Sequence, residues 1–248
     1  VNLRELAGRI HPAYSIFFCT ALYLTIGPFF AAPRTATVAY EIAVAQYLPP
    51  EMRSMGLYVF AAVFFIITWW LAISPSKLVA RVGKFMTPVL LVFLFLLIIS
   101  AIASPMGSWQ APAAAYDTGV KALGQGIVDG YNTMDGLAAL VFGIIVVESV
   151  KMYGAVSEAE ITKDTLRSGL ISTFFMAIIY AALCYIGASS VSLIGVQENG
   201  APVLVKTALH YFGAAGGGIL GVIVIFACLT TSVGLAASCA AYFNLLLP

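Results

Sequence analysis

The residues of this chain able to do chemistry are polar side chains set inside long apolar runs, and four places hold them. At 131–136, Tyr131-Asn132-Thr133-Met134-Asp135-Gly136 gathers a phenol, an amide, a hydroxyl, a carboxylate and a glycine. Such a cluster is either an interfacial N-cap, with Thr133 or Asp135 capping a helix that begins there, or a broken helix whose freed backbone groups line a substrate cavity. Length favours the second reading. From Asp135 to Val150 there are sixteen residues, too few to cross about 30 Å at about 1.5 Å per residue. The spanning helix must start earlier and run through the polar patch.

At 228–234, Cys228-Leu229-Thr230-Thr231-Ser232-Val233-Gly234 places three consecutive hydroxyls in mid-run. They either bond back to carbonyls of their own helix or offer hard oxygens to a dehydrated cation such as sodium. At 27–34, Pro28 and Pro33 kink a helix and free carbonyls around Phe29 and Phe30. Arg34 then either snorkels to the outer edge of the core or lines an outer vestibule beside Glu41. Glu148, close to Lys151, reads as a solvated pair at a helix end.

The elements that must carry these residues follow from composition. Apolar side chains make up 61% of 248 residues and charged ones 9%, and mean hydropathy is +0.99. A soluble domain runs about 25% charged, so 23 charged side chains could not cover one of this size. The chain is expected to be an all-α integral membrane protein, because lipid cannot satisfy an open sheet edge. Net charge +1 gives no footprint for nucleic acid. Six spans are expected, at roughly 10–46, 55–75, 84–104, 127–150, 165–193 and 214–247, with 105–126 and 194–213 as connectors. They form one transmembrane domain over 1–248. Val1 and Pro248 suggest a piece truncated at both ends, since the chain starts without Met and stops inside an apolar run.

Orientation rests on Lys and Arg. One side holds Arg4, Arg9, Lys77, Arg81, Lys84, Lys151, Lys163 and Arg167, eight in all; the other holds Arg53, Lys121 and Lys206. The N-terminal segment and the 76–84 and 151–167 loops are therefore expected in the cytoplasm. Arg4 to Arg9 is polar and no signal-peptide cleavage pattern follows. Cys19, Cys184, Cys228 and Cys239 lie scattered in apolar runs and read as small hydrophobes rather than disulfides or metal ligands.

Three motifs carry a resemblance. Gly27-Pro28-Phe29-Phe30-Ala31-Ala32-Pro33-Arg34-Thr35-Ala36-Thr37 with Tyr40-Glu41, Gly130 to Gly136 with Val141-Phe142-Gly143, and Cys228 to Leu235 are similar to the bacterial branched-chain amino acid:cation symporters (BrnQ-like). The resemblance implies a leucine-transporter-like fold with five-plus-five inverted repeats, of which this chain would hold the third to eighth helices. It implies that Thr133, Met134, Asp135 and Gly136 form the unwound substrate-binding segment of the sixth family helix. Thr230 and Thr231 would bind sodium with the Ala227 carbonyl, and Leu235 would face the substrate's aliphatic side chain. Phe29, Phe30 and Arg34 are weaker substrate contacts.

The activity so implied is secondary transport of Leu, Ile and Val across the bacterial cytoplasmic membrane by alternating access, driven by sodium, without cofactor or obligate protein partner. No catalytic constellation and no G-x-x-x-x-G-K motif stands in the chain, so neither an enzyme nor an ATP-driven pump is expected. The alternatives are a proton-coupled symporter with Asp135 as the proton site, and a complete six-helix channel-like or structural protein.

Overall fold

The computed structural model describes residues 3–73, 77–197 and 199–246. The expected span ends at 75 and 247, the terminal Val1 and Pro248, and the side chains of Lys77 and Arg81 lie outside the described residues. Nine α-helices run in chain order among those residues, with no strand: α1 (Leu3–Gly8), α2 (Pro12–Leu24), α3 (Ala31–Ala43), α4 (Pro50–Ile73), α5 (Lys77–Ala103), α6 (Gly119–Asn132), α7 (Asp135–Met152), α8 (Glu158–Ile194) and α9 (Gly200–Leu246). The all-helical integral membrane class holds.

Four stretches are long and apolar enough to cross a membrane: Pro12–Tyr47, Pro50–Ile73, Glu158–Ile194 and Gly200–Asn244. The pair Gly119–Gly143 and Ile145–Met152, bent by 49°, makes a fifth if it is counted as one broken span rather than a re-entrant loop. Thr87–Ala103 is a shorter apolar stretch. The outer faces suit lipid rather than water. Trp69 and Trp70 near the end of α4 stand exposed, the placing of aromatic side chains at a membrane interface.

Several boundaries differ from the sequence expectation, each for a local reason. The first span is interrupted between α2 and α3. Thr25–Phe29 forms a π-turn, and Gly27 takes the non-helical angles φ −82° and ψ −115°. Pro28 has no N–H to give the preceding turn, and Pro33 falls in the first turn of α3, where an N–H would have no partner in the helix. The 105–126 connector contains most of the first turns of α6, which starts at Gly119 with the Thr118 side chain accepting from the Lys121 N–H. The α8 helix starts at Glu158 rather than near 165, because Ser157 and Glu160 form a reciprocal capping box. The 194–213 connector is mostly the first part of α9. Asn199 accepts from the Ala201 N–H, and Gly213 at φ 61° and ψ −159° breaks the helix where a connector had been expected to end.

The chain forms two compact units. The first comprises Val1–Ile26, Ala111–Tyr180 and Ala241–Pro248. Within it Tyr242 stacks on Tyr23 at 4.4 Å between ring centroids, and its hydroxyl lies 2.8 Å from that of Thr20. The second comprises Gly27–Gln110 and Ala181–Ala240. Its core joins Ile42 of α3, Leu97 and Ala101 of α5, Ile186 of α8, and Ala208 and Leu220 of α9. Small residues permit this packing: a Cβ on Gly221 would stand 3.0 Å from the Ala43 Cα, so α9 meets the α3 backbone closely there.

Candidate functional site

In the first unit, α6 ends at Asn132 and α7 begins at Asp135, so the helix breaks at Thr133 and Met134. Met134 sits at φ 63° and ψ 14°, the one non-glycine residue with positive φ among those described. An unbranched side chain there costs about 1–2 kcal/mol, and such strain persists where the surroundings fix it. Neither expected cap forms. Met134 occupies the N-cap position without a side-chain bond, and Asp135 lies in the first turn of α7.

The break is held by side chains. The Tyr180 hydroxyl on α8 donates to Asp135 Oδ2 at 2.6 Å. Thr133 Oγ1 lies 2.8 Å from the same oxygen and 2.7 Å from the Gly130 carbonyl. Its single proton must be shared between the two acceptors. Asp135 is half-buried, and Gly136 is exposed with open space where a Cβ would stand. The negative side chain also sits at the positive end of α7. Tyr180 was not legible as a site residue: it shares an apolar run with Tyr185, nothing local marks either, and the bond spans 45 positions.

In the second unit, Thr230 Oγ1 and Thr231 Oγ1 each lie 2.9 Å from the Ala227 carbonyl oxygen. Both hydroxyls thus bond back to their own helix, and both converge on one oxygen. Adjacent helical residues point about 100° apart, so this shared acceptor brings together the three oxygens expected to hold a cation. Leu235 is buried at 2% exposure. Phe29 and Phe30 are exposed, and the Arg34 guanidinium lies 5.9 Å from the Phe30 ring centroid. Arg34 makes no ion pair with Glu41, which lies seven residues on and about 10 Å further along the helix axis. Glu148 and Lys151 are both exposed and likewise form no ion pair.

The second unit also holds a cavity of about 360 Å³ beside the Gly27 turn, lined among others by Pro28, Phe65, Thr68, Ser232 and Cys239. Its size falls within the range of small-ligand sites. A Cβ on Gly27 would lie 2.5 Å from Cys239 Sγ, so a larger residue there would have to displace that side chain. Leu235 does not line it. The glycine and prolines of the first motif mark its edge, but Thr68 and Phe65 carry no such signal in the sequence.

The family described as Branched-chain amino acid transport protein matches residues 1–248. The chain belongs to this family. Among relatives, it is 43% identical over 247 residues to the branched-chain amino acid permease BrnQ of Bacillus subtilis, covering 100% of this chain and 56% of that protein. It is 37% identical to the branched-chain amino acid transport system 2 carrier protein of Pseudomonas aeruginosa, over 94% of this chain and 52% of the carrier. The permease BrnQ of Escherichia coli is 35% identical over 98% of this chain and 55% of its own length. This branched-chain transport family member thus spans about half the length of the curated relatives it matches, and the three named here are permeases or carrier proteins. No solved structure matches the chain.

Proposed function

We propose that this chain carries the substrate and cation sites of a sodium-coupled symporter for Leu, Ile and Val, working by alternating access in the bacterial cytoplasmic membrane. The observation that carries the reading is the break at Thr133–Met134, with a carboxylate held beside it by hydroxyls from two elements. Irregular backbone at membrane depth is tolerated where it lines a cavity or is buried in protein, and broken helices are where such transporters bind substrate. Membership of the branched-chain transport family supports the substrate class. Thr133, Met134, Asp135 and Gly136 of the first unit bind the amino acid; the contacts expected of Leu235, Phe29, Phe30 and Arg34 in the second unit rest on the family resemblance alone. Ala227, Thr230 and Thr231 hold sodium: a hydroxyl that donates to a carbonyl keeps lone pairs for a cation. Six spans in a leucine-transporter-like arrangement are part of the same reading, with α5 as the third span and α6–α7 as the broken fourth.

One methylene is worth about 1–3 kcal/mol in an apolar site, so the three substrates should share the carrier. Excess isoleucine or valine is expected to suppress labelled leucine uptake, while excess lysine leaves it intact; uptake indifferent to valine would sink the substrate assignment. The proposed orientation places the N-terminal segment in the cytoplasm. A cysteine at Lys84 should then react with an impermeant reagent only from inside, and one at Gln110 only from outside. Reversed labelling contradicts it.

A further inference from the structure

We infer that Tyr180 is a positioning residue, orienting the Asp135 carboxylate so that its Oδ1 receives the ammonium group of the substrate. This rests on the proposed reading of the break as the substrate site. The geometry is asymmetric. Oδ2 takes the Tyr180 proton at 2.6 Å and part of the Thr133 proton at 2.8 Å, while among the described residues no hydrogen bond engages Oδ1. A separation of 2.6 Å belongs to the short, charge-assisted class of O–H···O⁻ bonds. The Tyr180 hydroxyl also meets that of Thr133, but its own proton goes to Oδ2, whereas Thr133 divides its proton with the Gly130 carbonyl. The phenol is therefore the principal anchor of Oδ2.

The ligand class follows from what is left over. The α7 N-terminus is the place where a broken helix would ordinarily meet an anionic group, and here the chain's own carboxylate lies in that first turn. An anion arriving at Oδ1 would face like charge. A primary ammonium brings three donors to an acceptor with free lone pairs. Of the two charged ends of an amino acid, the ammonium is the one this cluster selects. Because the bond reaches from α8 to the break, Tyr180 also ties the carboxylate to an element outside α6 and α7.

The test is Tyr180→Phe in the transporter expressed from its complete gene and reconstituted into vesicles. The half-saturating leucine concentration is expected to rise about tenfold, with the maximal rate and the half-saturating sodium concentration changing less than about twofold. Folding should survive, since the side chain is 41% exposed and the change removes one hydroxyl. Tyr180→Leu serves as the second variant and should show the same split. An unchanged leucine requirement in both overturns the inference, and so does a parallel rise in the leucine and sodium requirements, which marks a general packing defect. Asp135→Asn separates the two levels. If it leaves leucine dependence untouched, the break is not the substrate site; if it weakens leucine and neither Tyr180 variant does, the positioning role alone fails.

Discussion

Asp135→Asn is expected to lower leucine uptake by ten- to a hundredfold while membrane insertion and protein yield stay at the parent's level. The magnitude follows from the charge. A hydrogen bond to a charged group contributes about 1.5–3 kcal/mol, which is about ten- to a hundredfold in an equilibrium. Asparagine keeps the shape and one acceptor oxygen, so Tyr180 can still donate and the fold at the break is retained. What disappears is the negative charge that the proposed ammonium contact needs. Initial rates of labelled leucine uptake, normalised to inserted protein, give the answer. A variant that transports like its parent would reduce Asp135 to a residue that steadies the first turn of α7.

Thr231→Ala is expected to raise the half-saturating sodium concentration about tenfold, and Thr230→Ala about threefold, with little change in the leucine requirement at saturating sodium. The two hydroxyls share one acceptor, the Ala227 carbonyl, at 2.9 Å each. Thr231 is exposed and Thr230 half-buried, so Thr231 has the freer lone pairs and the larger expected effect. The opposing account is specific. A hydroxyl that only bonds back to its own helix destabilises that helix slightly, and alanine is the better helix former. On that account both variants keep the parent's sodium dependence and gain a little stability. Sodium titration of uptake at fixed leucine distinguishes the two.

Much of the site's local form was legible because it follows from length and chain chemistry. The sixteen residues from Asp135 to Val150 cannot span, so a helix through the polar patch had to exist, and α6 followed by a break and α7 is what stands there. The interruption near Pro28 and Pro33 was legible as a kink, but not as a π-turn around Gly27. Nor was it legible that a Cβ on Gly27 would meet the Cys239 side chain, more than two hundred residues away. Helix starts at Glu158 and Gly200 were obscured because charge-free runs mark apolar length rather than helix length. The Ser157–Glu160 box was nonetheless written in the sequence. The partner of Asp135 was not legible at all. Which tyrosine of α8 meets the break depends on how that helix packs, and no local pattern encodes it.

The account's central claim is a coupled site, and leucine uptake into vesicles holding the transporter expressed from its complete gene tests it most directly. An inward sodium gradient is imposed with pH equal on both sides, and separately an inward proton gradient without sodium. The account predicts transient accumulation of leucine above equilibrium under the sodium gradient, and only downhill equilibration under the proton gradient. Accumulation driven by protons alone would contradict it, returning Asp135 to the role of proton site and Thr230 and Thr231 to hydroxyls bonded to their own helix.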